Sequence, residues 1–179
     1  MNPFTLRPAV LADVPVLEDL VAASARGLTA SDYTSQQIEA AIGTAWGVDT
    51  ELVRDGTYFV AEVAREIVAC GGWSRRCTLF GGDAQRDGDS EVLDPKLHAA
   101  KVRAFFVKPE WARLGIGRAL LHRCESEARA AGFTSAELLA TLPGVRLYRS
   151  KGYEGDVRVP HTLRGGIVID FVPMKKALS

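Results

Sequence analysis

The chain has 179 residues, 47% apolar and 25% charged, with 22 Lys plus Arg against 22 Asp plus Glu. That mix fits one soluble domain, able to bury ~70% of its unfolded surface without staples, and excludes a disordered tail, a collagen-like rod and a general nucleic-acid binder, whose basic excess is missing. No apolar run approaches the ~18 uncharged residues of a membrane span, and Met1 to Arg7 lacks the basic-then-apolar order of a secretory signal. Cys70, Cys77 and Cys124 are odd in number and share no CxxC spacing, which argues against a disulfide framework or a zinc site. A reducing cytoplasm is the expected compartment.

Phe4 to Arg7 reads as a short first strand. Asp13 can cap a helix that begins near Val14-Pro15 and runs to Gly27, with Val14, Leu17, Leu20 and Val21 on one face. Thr34-Ser35-Gln36-Gln37 is a capping-box pattern opening a second helix, with Ile38, Ala41 and Ile42 as its apolar stripe. Thr57 to Val63 and Ile67 to Arg75 are β-rich runs around Ala64-Arg65-Glu66, so a hairpin is predicted. Residues 77–98 carry Gly81-Gly82, Gly88 and Pro95 among scattered acids and read as a long mobile loop, a kind usually functional or disordered.

Lys101 to Val107 is a strand closed by Pro109. A helix from about Gly115 to Ala131 turns Ile116, Ala119, Leu120, Cys124 and Ala128 inward and Arg118, His122, Glu125 and Arg129 outward, with Gly132 as its stop. Phe133 to Ala140 is the next strand, and Val145 to Lys151 a short helix stopped by Gly152. Tyr153 to Val159 and Ile167 to Met174 form a closing hairpin. No internal repeat interrupts this order, so residues 1–179 are expected to be a single domain. Its class is α/β, a mixed sheet with helices on both faces.

The chemical signal is Trp111-Ala112-Arg113-Leu114-Gly115-Ile116-Gly117-Arg118, between a predicted strand and a predicted helix. Glycines there let backbone N–H groups approach an anion, and a helix N-terminus adds unpaired donors and partial positive charge, so phosphate is the natural occupant. A Rossmann fingerprint needs a third small residue where Leu120 sits. A P-loop needs Gly-Lys-Ser/Thr, whereas Gly117 precedes Arg118-Ala119. Taken alone, two such glycines most often only shape a tight strand-to-helix turn.

They are not alone. Phe105-Phe106-Val107-Lys108-Pro109-Glu110-Trp111, the glycine loop, and Leu147-Tyr148-Arg149-Ser150-Lys151-Gly152-Tyr153 together resemble the GCN5-related N-acetyltransferase (GNAT) superfamily. The resemblance is tight over roughly the last eighty residues. It implies a mostly antiparallel sheet of about seven strands and acetyl-coenzyme A as co-substrate. Arg113, Leu114, Gly115, Ile116, Gly117 and Arg118 would hold its pyrophosphate, and Phe105, Phe106 and Val107 would line its pantetheine arm. Tyr148 matches the family tyrosine that protonates the leaving thiolate. Two positions depart from the pattern: Ala112 stands where the loop consensus has Arg or Gln, and Thr141-Leu142-Pro143-Gly144 replaces a stretch that carries Asn in many relatives.

The resemblance implies an N-acetyltransferase that moves acetyl to a primary amine of a small molecule or peptide by direct attack. No nucleic-acid or membrane partner is expected, and a homodimer stays open. The alternative readings are an acyl-coenzyme A sensor or interaction module without turnover, and a structural domain whose glycine loop is only a turn. A primary amine with pKa ~10.4 costs ~4.6 kcal/mol to deprotonate at pH 7, so a base is sought. Glu137, in Ala136-Glu137-Leu138, resembles the strand glutamate that serves as base in some members, and reads equally well as a solvent-side carboxylate. His98, Asp94, His161 or a water chain are the fallbacks. Tyr33, Trp73 and Arg75, with Arg76, are the candidate acceptor-site walls. An arginine pair there would suit an acceptor bearing carboxylate or phosphate.

Overall fold

The computed structural model of the protein describes residues 4–79, 81–83 and 90–178. Seven strands form one sheet in the order β1-β2-β3-β4-β5-β7-β6, with ranges β1 Thr5–Pro8, β2 Tyr58–Val63, β3 Glu66–Ser74, β4 Ala100–Val107, β5 Ser135–Thr141, β6 Val159–Thr162 and β7 Val168–Ala177. Every pairing is antiparallel except β4 with β5. The helices are α1 Val14–Leu28, α2 Ser35–Ala41, α3 Thr50–Arg54, α4 Ile116–Ala130 and α5 Val145–Arg149.

Alternation along the strands creates two cores, one on each face. In β2, Phe59 and Ala61 join the cluster covered by α4, while Tyr58 and Val60 join the cluster covered by α1 and α2. Leu17, Leu20 and Val21 of α1 and Leu120, Leu121 and Cys124 of α4 are almost wholly buried, as the 3.6-residue spacing requires. The Thr34 cap is reciprocal: Gln37 N–H donates to Thr34 Oγ1 at 3.2 Å, and Thr34 N–H donates to Gln37 Oε1 at 2.9 Å.

Four expectations are corrected. Glu125 does not face solvent; it is buried under β7, where Lys176 Nζ reaches its carboxylate at 2.9 Å. Neutralisation by that lysine is what lets a helix glutamate sit inside. Helix α3, absent from the sequence reading, is capped by Asp49, whose carboxylate accepts from Glu51 N–H at 3.0 Å. The closing hairpin starts later than Tyr153: that residue is core, at 1% exposure, and only Glu154 bridges to Lys175 before β6 begins at Val159. The stretch 77–98 is partly tied down, since Cys77 N–H and Leu93 N–H bond to Glu91 and Arg75 carbonyls. Residues 80 and 84–89 of that stretch lie outside the described residues.

Candidate active site

Strands β4 and β5 pair only at Ala100–Ala136 and Lys101–Glu137, and then part. The cause is visible in β4. Ala104 has φ +55°, a left-handed value inside a strand, and the β3–β4 register slips between Cys70 and Gly72. Such a residue costs of order 1–3 kcal/mol and needs support from its surroundings. The support is Tyr58, whose hydroxyl donates to Ala104 O at 3.0 Å and lies 3.2 Å from Cys70 Sγ. Gly71 and Gly72 make the arrangement fit: a Cβ at Gly71 would meet the Phe105 ring at 2.8 Å, and one at Gly72 the Tyr58 ring at 2.7 Å. Beyond the bulge, Val107 N–H donates to Ser24 Oγ of α1 at 3.2 Å, holding the end of β4 away from β5.

A cleft of about 870 Å³ fills the gap. Phe105, Phe106 and Val107 form one wall, Thr141, Pro143, Gly144, Leu147 and Tyr148 the other, and Arg113 to Arg118 the rim. Arg113 (φ +66°) and Gly115 (φ +85°) are both left-handed, and together they curl the loop into the start of α4. The first N–H groups of a helix have no partner within it, and α4 presents its own at this rim. Arg113, Arg118 and Lys151 line the cleft, and no carboxylate does among its described lining residues. A chain of zero formal charge thus concentrates three cations on a site that suits a polyanion.

Tyr148, on α5, closes the inner end of the cleft and is 9% exposed. Its ring packs edge-on against Phe105 and Tyr153, at 6.3 and 5.8 Å between centroids. Burial pushes its phenol well above the ordinary tyrosine range, with the neighbouring Cys124 thiol adding to the effect. Its hydroxyl makes no hydrogen bond to a described side chain or backbone group, which leaves its proton available to whatever occupies the cleft.

The acetyltransferase (GNAT) domain profile matches residues 54–155, more than half of the chain. The chain belongs to the GNAT acetyltransferase family. Solved structures agree with the fold over almost the full length. A GCN5-related N-acetyltransferase from Rhodopseudomonas palustris superposes with TM-score 0.72 at 21% identity, covering 99% of this chain and 97% of that one. The PaiA N-acetyltransferase from Thermoplasma acidophilum, solved with coenzyme A, gives 0.65 at 15% identity, with 97% and 98% covered. A ribosomal-protein-alanine N-acetyltransferase from Escherichia coli gives 0.59 at 16% identity, with 98% and 94% covered. No curated protein matches the sequence.

Within this GNAT fold, all nine residues expected at the co-substrate line the cleft together with Tyr148. The other expectations meet a different geometry. Glu137 sits where β4 and β5 still pair, ion-paired with Lys101, and it lines none of the described cavities. Thr141 at the cleft lies four positions further along β5, ~13 Å along a strand. The structure therefore does not bring Glu137 to Tyr148. Trp73 is core, 3% exposed, packed edge-on to Phe133 with its indole N–H 3.4 Å from Glu127 Oε2. Arg75 and Arg76 are held by Asp55 beyond the far end of β3, so the anionic acceptor they suggested loses its support. Tyr33 is a buried brace, donating to Asp170 O at 2.7 Å and accepting from Leu142 N–H at 2.9 Å. His98 bonds within its own turn to Asp94 O, and the His161 ring lies tilted beside Phe171, 6.2 Å between centroids. Neither histidine lines a described cavity.

The cleft also uses residues the sequence reading missed, namely Ser24, Trp46, Thr141 and Lys151. Only Lys151 carried a readable signal, as a cation inside the block that ends at Gly152-Tyr153. Because a positioned base is worth ~10²–10⁴ in rate, Glu137→Gln discriminates sharply. Turnover in thiol-release assays is expected to stay within about threefold of wild type from pH 6 to 9. A loss of two decades recovered at high pH would restore Glu137 as the base.

Proposed function

We propose that this GNAT acetyltransferase moves an acetyl group from acetyl-coenzyme A to a primary amine by direct attack, with Tyr148 as general acid. The observation that carries the reading is the coincidence of a cationic amide rim, an apolar strand wall and a buried phenol along one cleft. The fit to coenzyme A is chemical at both ends. Gly117 keeps the rim open, since even a Cβ there would come within 3.3 Å of Leu147, and Arg113, Arg118 and Lys151 match a pyrophosphate and further phosphate. Phe105, Phe106 and Leu147 match an aliphatic arm.

Acetyl-coenzyme A supplies a thioester carbonyl, so attack by the amine forms the C–N bond and breaks the C–S bond. The amine must lose a proton, and the departing sulfur gains one. Tyr148 is suited to the second task because burial keeps its hydroxyl protonated at every working pH. The same dry surroundings raise the basicity of a thiolate formed beside it, so donation does not stall on the high phenol pKa. For the first task no carboxylate or histidine lines the cleft among the described residues, and proton removal falls to water before or during attack.

A pH profile follows with a definite sign. With a saturating co-substrate, kcat/KM for an alkylamine is expected to rise ~10-fold per unit toward the amine's own pKa of ~10.4. No alkaline fall from Tyr148 is expected below pH ~10, because its pKa is raised from the ordinary value. A plateau beginning near neutral pH would instead reveal a protein base. Release of free thiol during an amine screen tests the activity itself, and acetyl-coenzyme A binding without thiol release would leave a sensor.

A further inference from the structure

Two polar side chains, Tyr58 on β2 and Cys70 on β3, are wholly buried in the core under α1 and α2, and neither lines the cleft. Burial pushes the Cys70 thiol up to about 12, and the phenol is raised by the same cause, so both keep their protons. The Tyr58 hydroxyl donates to Ala104 O at 3.0 Å, and Cys70 Sγ is its second partner at 3.2 Å. A neutral dyad in an apolar core thus spends its hydrogen bonds on one backbone carbonyl.

That carbonyl belongs to the strained point of β4. Ala104 and Phe105 fall in the slip of the β3–β4 register, between Arg103 opposite Gly72 and Phe106 opposite Cys70, and β5 has already parted there. A left-handed alanine survives in a strand only when its surroundings over-determine it, and such strain gathers where geometry serves function. The Ala104 carbonyl and the Phe105 N–H share one planar trans peptide, so a bond to the oxygen fixes the plane from which the Phe105 side chain departs.

The Phe105 ring carries this placement across the sheet. It lies over Gly71, where a Cβ would come within 2.8 Å of it, and packs edge-on against Tyr148 in the core under α4. Tyr148 stands on a helix of five residues, and its hydroxyl has no described protein partner. The rings of Phe105 and Tyr153 are what aim it. Resting on the acetyl-transfer reading, we propose that Tyr58, with Cys70 as its second partner, is a positioning residue for the acid, acting on Tyr148 through the Ala104 peptide and the Phe105 ring.

The test is thiol release from acetyl-coenzyme A by the full chain, with the fastest amine of the screen. Tyr58→Phe removes one buried oxygen and keeps the ring that rests on Gly72. It is expected to lower kcat ~10–100-fold, the scale of a small misplacement, with the Kd for coenzyme A within about threefold of wild type because the rim is untouched. A merely structural loss would multiply with any other loss. A positioning loss has no acid left to misplace once Tyr148 is replaced by phenylalanine, so adding Tyr58→Phe to Tyr148→Phe should cost less than about threefold. Cys70→Ala takes away the second partner and should slow kcat, and Cys70→Ser, which restores a hydroxyl there, should recover most of that loss. The Cys70 pair decides the matter if Tyr58→Phe does not fold.

Wild-type kcat in Tyr58→Phe, losses that multiply in the double variant, or a Cys70→Ser no faster than Cys70→Ala overturns the proposal. A slow Tyr148→Phe beside a fast Tyr58→Phe is the failure of this proposal only. Full turnover in Tyr148→Phe, or no thiol release from the wild type, is the failure of the transfer reading and takes the proposal with it.

Discussion

Tyr148→Phe is expected to lower kcat by ~10²–10⁴ while leaving the affinity for acetyl-coenzyme A and the melting temperature close to wild type. The substitution removes one oxygen and keeps the ring that packs edge-on between Phe105 and Tyr153. That hydroxyl makes no bond within the described protein, so its deletion orphans no partner and opens no cavity of consequence. Under the proposed mechanism, what it removes is the proton given to the leaving thiolate. If the remaining rate is carried by solvent, it should depend on the leaving-group pKa more steeply than the wild-type rate does. Steady-state turnover with acetyl-coenzyme A, beside calorimetric binding of coenzyme A, checks both halves. Wild-type turnover in the variant would make Tyr148 a packing residue and hand protonation to water.

The cleft formed by Phe105 to Val107 and Arg113 to Arg118 is legible in the sequence because its geometry is local. A strand, a glycine turn and a helix N-terminus follow one another over Phe105 to Arg118, and contiguous backbone makes the cradle. The acceptor side is not legible, because long-range geometry decides it. Glu137 lies on the expected strand, yet its register opposite Lys101 puts it at the closed end of the split. Arg75-Arg76 reads as a free pair until Asp55, some twenty residues earlier, is folded against it. Trp73 and Trp46 are both tryptophans in apolar settings, and only the folded chain makes one core and the other a cavity wall. One hint was present in the sequence. Gly71-Gly72 inside a strand signals a bulge or a close approach, and it marks the place where β4 turns away.

Gly117→Val tests the rim with the fold held constant. Gly117 is the second residue of α4, has no left-handed φ, and a Cβ there meets only the far end of Leu147 at 3.3 Å. Valine is also a better helix former than glycine, so thermal stability should hold or rise slightly. Gly115 is the poorer probe, since at φ +85° any side chain strains the backbone itself. Methyl groups on residue 117 would stand where an anion approaches the first amides of α4, and two charge-assisted hydrogen bonds are at stake. Their loss is worth ~3 kcal/mol or more, so the Kd for coenzyme A should rise ~100-fold or more. A rim that works by geometry also predicts that Gly117→Ala falls between glycine and valine, while Arg113→Gln, which removes a charge and leaves the amides alone, binds with a shallower salt dependence than wild type. Valine binding coenzyme A as tightly as glycine would move the phosphates off the α4 amides and onto the cationic side chains alone.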